Sequence, residues 1–151
     1  MLRPCVTFAE PCNARVTFSY EIYPDRQGIQ VRYSGVFTQA GLEASAAALW
    51  GDARYSRDYH GIVDCRRGPV STTTGDLRGL IAMVQRNPAT SRGRWAAVTT
   101  EPVPTALALV YGQAMGKHHP FGVFTSWRAA CDFVGVEFDP QAALRTVMPL
   151  G

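Results

Sequence analysis

The sequence is poor in charge and in lysine. Charged residues make up 18% of its 151 residues, the net charge is +3, and Lys117 is the only lysine. The sequence pI is about 8.8. A dedicated nucleic-acid binder carries a dense basic stripe and a pI above roughly 9. Here the arginines are scattered, and the tightest groups are Arg66–Arg67 and the set Arg86, Arg92, Arg94. No nucleic-acid partner is expected. No apolar run approaches the roughly 18–20 residues of a membrane span, so no integral membrane segment is expected. The start, Met1-Leu2-Arg3-Pro4-Cys5-Val6, lacks the apolar stretch of a secretory leader.

Metal and redox signatures are also missing. The four cysteines, Cys5, Cys12, Cys65 and Cys131, form no C-x-x-C pair and no zinc-finger spacing with histidine. Cys65 and Cys131 sit in apolar periodic segments, where reduced cysteine behaves as a small hydrophobe. A reducing, cytoplasmic location fits that usage. His118 and His119 are adjacent, and neighbours on a strand point to opposite faces, so they cannot easily share an ion. No metal and no cofactor are expected. Internal repeats, low-complexity runs and interdomain linkers are absent as well.

What is present is apolar material, 46% of the residues, in a chain of single-domain length. Such a chain buries roughly 70% of its unfolded surface. Residues 1–15, with Pro4 and Pro11, read as an N-terminal arm. Residues 16–136 read as the domain, and residues 137–151 as a C-terminal tail with a short helix begun by Asp139-Pro140.

Within the domain, Val16, Phe18, Tyr20 and Ile22 alternate with polar residues, as do Ile29, Val31 and Tyr33. With turn chemistry at residues 24–28 between them, the two segments predict an antiparallel hairpin. Residues 35–38 close it, and Thr38 caps a helix whose face is Leu42, Ala46, Leu49 and Trp50. Gly61-Ile62-Val63-Asp64-Cys65 reads as a central parallel strand. A loop over residues 66–74 leads to a helix with Leu77, Leu80, Ile81 and Val84 aligned, stopped by Asn87-Pro88. A strand over 94–100, a helix bearing Leu107, Val110, Tyr111, Ala114 and Met115, a strand over 121–124 and a helix capped by Ser126 complete the order ββαβαβαβα. The predicted fold class is α/β. Its sheet is mixed but mostly parallel, of about five strands, with an antiparallel first hairpin and helices mainly on one face.

The order and spacing of several segments resemble a known family. They are Tyr33-Ser34-Gly35-Val36-Phe37-Thr38, Gly61-Ile62-Val63-Asp64-Cys65-Arg66, Trp95-Ala96-Ala97-Val98, the Tyr111 helix, and Phe124-Thr125-Ser126-Trp127-Arg128-Ala129-Ala130. Over residues 16–136 the chain resembles the bacterial SpoIIAA-like proteins. These are relatives of the STAS domain of anti-sigma-factor antagonists and are often grouped with CRAL-TRIO lipid carriers. The resemblance implies a binding role. In STAS antagonists a regulatory serine beside an aspartate lies between the third strand and the second helix. Residues 71–74 hold that place here, but six residues, 65–70, separate Asp64 from Ser71.

Two candidate sites follow. The first is the loop with Asp64, Arg66, Arg67, Ser71, Thr72, Thr73 and Thr74. It leaves the carboxyl end of a parallel strand, where ligands of open α/β sheets bind, and it ends at a helix N-terminus that favours anions. The second is the apolar contact face Leu107, Val110, Tyr111 and Met115. Cys65 does not fit a cysteine-phosphatase loop, because an arginine is needed six residues on and position 71 is Ser71. No catalytic residue is assigned. The leading expectation is a non-enzymatic regulatory module that binds an unidentified protein partner or a second copy, switched at Ser71 or its neighbours. The alternative is a carrier or sensor of a small apolar or amphipathic ligand. An enzyme, resting only on Asp64, Cys65 and the two arginines, comes last.

Overall fold

The computed structural model describes residues 16–147. The first hairpin forms as the alternation predicts. Strand β1 (Thr17–Tyr23) buries Phe18, Tyr20 and Ile22 and turns the intervening residues outward. A single 3-10 turn, Pro24–Arg26, is closed by Gln27 in the left-handed conformation at φ 55°. The chain returns as β2 (Gly28–Phe37), antiparallel to β1 from Tyr23 opposite Gly28 to Thr17 opposite Ser34.

Beyond the hairpin the sheet is parallel. Strand β3 (His60–Asp64) lies beside β2, β5 (Trp95–Val98) beside β3, and β6 (Phe121–Phe124) beside β5. The strand order is β6-β5-β3-β2-β1-β7. The sheet has seven strands where the sequence predicts about five. One addition is β4 (Val70–Thr72), inside the segment predicted as loop. It pairs in parallel with Gly35, Val36 and Phe37, and so carries β2 to Phe37, past the predicted hairpin end. The other is β7 (Arg145–Thr146), antiparallel to β1. Both are too short to show a period of two, and both exist only because a distant strand supplies the partner.

Four helices fill the crossovers among the described residues. Helix α1 (Gln39–Trp50) is capped by Thr38, whose hydroxyl accepts from Gly41 N at 3.1 Å. Helix α2 (Thr74–Arg86) is capped by Thr73, which accepts from Asp76 N at 3.0 Å. Helix α3 (Pro102–Met115) begins with proline at its first position, where a missing N–H costs nothing. Helix α4 (Trp127–Val134) is capped by Ser126 and ends at Gly135, with φ 75°. Helices α1, α2 and α3 pack together on one face of the sheet through Leu42, Leu77, Ile81 and Met115. Helix α4 covers the other face, setting Ala130, Cys131 and Val134 against Ile62, Ala96 and Val98. No helix is long and apolar enough to cross a membrane among the described residues.

The C-terminal segment departs from the prediction. Residues 137–147 form turns and β7, and no helix. Asp139 does begin a turn: its carboxylate accepts from Gln141 N at 2.9 Å and its carbonyl from Ala142 N at 3.1 Å. Side chains of the sheet and α4 then hold the segment extended. Gln30 Nε2 donates to the Asp139 carbonyl at 2.8 Å, Trp127 Nε1 to Phe138 at 2.8 Å, and Arg32 Nη2 to Ala142 at 3.3 Å. Carbonyls engaged in this way are not free to close helical turns.

One close approach in the sheet depends on glycine. Gly61 on β3 is paired with Trp95 on β5, and the six-membered ring of the indole lies where a side chain at Gly61 would begin. The indole N–H is fixed by Ser91 Oγ at 2.6 Å, so the ring cannot easily swing away. Gly61→Ala should therefore lower the urea midpoint, with the slope unchanged, by the roughly 1–3 kcal/mol that overpacking a core costs. A midpoint equal to that of the parent chain would show that the ring yields freely.

Candidate functional site

Alternation along β3 decides which side of the sheet each candidate residue occupies. Ile62 and Asp64 face α4, whereas Val63 and the following Cys65 face α1, α2 and α3. The predicted ligand loop is thereby divided between two sites on opposite faces.

On the α4 face, Asp64 is fully buried and surrounded by arginine. Arg66 makes a chelate: its backbone N and Nε reach Oδ1 at 3.0 and 2.9 Å, and its Nη2 reaches Oδ2 at 3.1 Å. Arg67 Nε lies 3.4 Å from Oδ2. Arg32, directly opposite Asp64 in the β2–β3 register, places Nε at 3.9 Å. That Nε is buried and has no hydrogen-bond partner among the described residues. The Arg66 guanidinium also stacks on Trp127, 4.9 Å from the ring centroid. Burial alone would raise the Asp64 pKa. The Arg66 hydrogen bonds and the nearby positive charges outweigh it, and the carboxyl is held below its ordinary value of 3.8. Asp64 is therefore ionised and fully engaged. It anchors the arginines, and Arg67 and Arg32 in turn donate to the carbonyls of Pro140 and Ala142.

The hydroxyl run is built into secondary structure. Ser71 and Thr72 lie on β4, and the Thr72 hydroxyl donates to the Phe37 carbonyl at 2.7 Å. Thr73 is the α2 cap and Thr74 is the exposed first residue of that helix.

On the opposite face, a cavity of about 210 Å³ lies between the sheet and the three helices. Val31, Val63 and Ala97 contribute from the sheet, Leu49 from α1, Leu77 from α2, and Leu107 and Tyr111 from α3. Val70, Ser71 and Thr72 of β4 join its wall, so part of the predicted loop meets part of the predicted α3 face. The rest of that face goes elsewhere. Met115 is fully buried in the helical core, and Val110 is exposed at the surface. The helix has apolar residues on two sides, and only one side turns toward the sheet.

The cavity wall includes no Asp, Glu, Lys or Arg among the described residues. Its titratable members are held neutral at ordinary pH. Burial pushes the Cys65 thiol up to about 12 and the phenols of Tyr33 and Tyr55 to about 12. Burial likewise raises Tyr111. It lowers His119, against the opposing effect of the Pro120 carbonyl 3.2 Å from Nδ1. Tyr33, Ser45, Tyr55 and His119 are cavity residues that periodicity does not single out, because each lies on a segment readable as ordinary core or loop. Arg32 carried a faint signal: with Gln30 it places two long polar side chains on one face of a strand that has neighbours on both sides.

Comparison of the chain with protein-family models, curated proteins and solved structures finds no match in any of the three. The candidate sites are therefore read from their own chemistry.

Two pH effects follow. Asp64, with a depressed pKa, contributes stability that is present above 3.8 and lost as pH falls through its folded value. Asp64→Asn should remove that acid limb and cost roughly 2–4 kcal/mol at neutral pH. That is less than for a fully buried ion pair, because the guanidinium groups keep some contact with water. Urea unfolding from pH 2 to 7 (about that range) checks both. His119, also depressed, binds a proton more readily when the chain is unfolded, so its contribution is complete above 6.5 and declines as pH falls below it. His119→Phe should flatten that decline in the same series, and an unchanged slope would count against a neutral buried imidazole.

Proposed function

We propose that this protein is a carrier or sensor of a small apolar ligand, held between the sheet and helices α1, α2 and α3. The observation that carries the reading is the charge-free cavity of about 210 Å³. Protein interiors close-pack with few voids larger than a water molecule, so a cavity of this size lined by apolar side chains is suited to an organic guest. The order of segments resembling SpoIIAA-like proteins, with their kinship to lipid carriers, agrees with a binding role. A cytoplasmic location fits the reduced Cys65 and Cys131.

A second reading, the regulatory module with a protein partner or a second copy, draws on one observation. Val103, Leu109 and Val110 of α3 are exposed, an apolar surface turned away from the cavity. The Ser71 switch within that reading is less favoured. Phosphate on Ser71 or Thr72 would load a β-strand that already pairs with β2, and the Thr72 hydroxyl is already committed.

The carrier reading is tested with indane, a neutral two-ring hydrocarbon, added to the full chain. Saturating ligand stabilises by RT ln(1 + [L]/Kd), about 2.7 kcal/mol at a hundredfold excess over Kd. For a domain of this size the midpoint of melting should rise by roughly 5–10 °C. Ala97→Leu and Val63→Phe project carbon into the cavity, and each should abolish the rise while remaining folded without ligand. No rise in the parent chain, or a rise that survives both variants, would sink the reading.

A further inference from the structure

We infer that the ligand is uncharged, planar, about the size of one fused two-ring system, and equipped with a single hydrogen-bond acceptor that takes the Tyr111 hydroxyl. This inference rests on the carrier reading and gives its ligand a chemical class.

Charge is excluded by the wall. With no acidic or basic side chain lining the cavity, an ionised guest would be buried without a counter-charge. Transfer of an unpaired ion into such surroundings costs several kcal/mol or more.

Size is set by volume. An apolar cavity of about 150 Å³ accommodates benzene, with six ring atoms. Scaling to about 210 Å³ gives a guest of roughly eight to ten non-hydrogen atoms. That corresponds to a compact two-ring molecule and excludes a long acyl chain.

Planarity follows from the aromatic walls. Phe18 and Tyr33 lie 5.1 Å apart by ring centroids, Tyr33 and Phe37 also 5.1 Å, and Tyr111 and Phe121 5.2 Å. The last two pairs meet edge to face, so ring edges and faces line the space. A flat guest can meet such surfaces offset or edge-on, the arrangements that aromatic quadrupoles favour.

The acceptor is specified by the hydroxyl inventory. Ser45 Oγ donates to the Leu42 carbonyl at 2.7 Å, so the Tyr33 hydroxyl, 2.9 Å away, donates to Ser45. The Tyr55 hydroxyl donates to the Ala89 carbonyl at 2.6 Å. Thr72 and Thr90 donate to the carbonyls of Phe37 and Val84. Ser91 donates to the Arg57 carbonyl at 3.3 Å and accepts from Trp95 Nε1. Ser71 stands half-exposed at the β4 rim. Tyr111 is the cavity tyrosine whose hydroxyl has no partner among the described residues, although buried polar groups are normally bonded. A carbonyl or ether oxygen on the guest would satisfy it. A neutral hydrogen bond of this kind is worth about 0.5–1.5 kcal/mol net, and leaving the donor unmet costs more.

The test compares three probes of one skeleton on the full chain by calorimetric titration: indane, 1-indanone and indane-1-carboxylate. The ketone should bind about tenfold more tightly than indane, and the carboxylate at least about tenfold more weakly. Tyr111→Phe should bring 1-indanone to the affinity of indane and leave indane within about twofold. Should that variant fail to fold, the infrared carbonyl stretch of 1-indanone bound to the parent chain decides instead. It should lie below its position in an alkane solvent if a phenol donates to it. Equal affinity for indane and 1-indanone, or a preference that survives Tyr111→Phe, would overturn the Tyr111 assignment while leaving the carrier reading intact. Carboxylate binding as tight as that of indane would overturn the neutral class. Failure of all three probes to bind the folded chain would overturn this inference and the carrier reading together.

Discussion

The two-residue period of the central strand β3 is the constraint on which the rest of the structure depends. A strand buried on both faces must send successive side chains to different environments. Ile62 and Asp64 go to the α4 side, and Val63, followed by Cys65, goes to the three-helix side. The charged cluster and the apolar cavity are therefore separated by the thickness of the sheet. Moving Asp64 by one position would place an ionised carboxylate in the cavity, away from the arginines that satisfy it.

Each face meets its own physical requirement. On the α4 face, a buried carboxylate is acceptable because Arg66 chelates it and Arg67 and Arg32 approach it. Those arginines also reach the carbonyls of residues 140 and 142, and Gln30 and Trp127 hold the neighbouring ones. The chain end is thus fastened by side-chain donors, and β7 then completes the edge beside β1. On the other face, α1, α2 and α3 pack on one another and leave space above the sheet that has no charged lining. Chemistry that needs an ion belongs to the first face, and recognition of an apolar guest to the second.

Much of this architecture was legible in the sequence. The alternation of Phe18, Tyr20 and Ile22, the aligned leucines of α1 and α2, and the caps Thr38, Thr73 and Ser126 are local signals, and each appears where its spacing places it. The mixed, mostly parallel α/β class follows from the order of those elements. The candidate site was legible only in fragments. Leu107, Tyr111, Ser71 and Thr72 carry no mark that they meet in one wall, and Tyr33, Ser45 and His119 resemble core or loop residues until their neighbours are known. The predicted helix at the chain end failed because Asp139-Pro140 describes only how a turn begins. Whether the turn propagates depends on distant donors that claim its carbonyls.

By itself the sequence determined the elements, their order and the faces that must be buried, because periodicity, capping and turn chemistry act between residues a few positions apart. It also determined that the interior is largely free of charge, since 18% of residues are charged and they seldom fall at core positions. Only the tertiary structure decided that β4 and β7 would be strands, that Arg32 would stand opposite Asp64, and that the Tyr111 hydroxyl would lie in a cavity rather than against a partner. These outcomes depend on pairings between residues far apart in the chain. A side chain's energy there is set by neighbours that local sequence does not name.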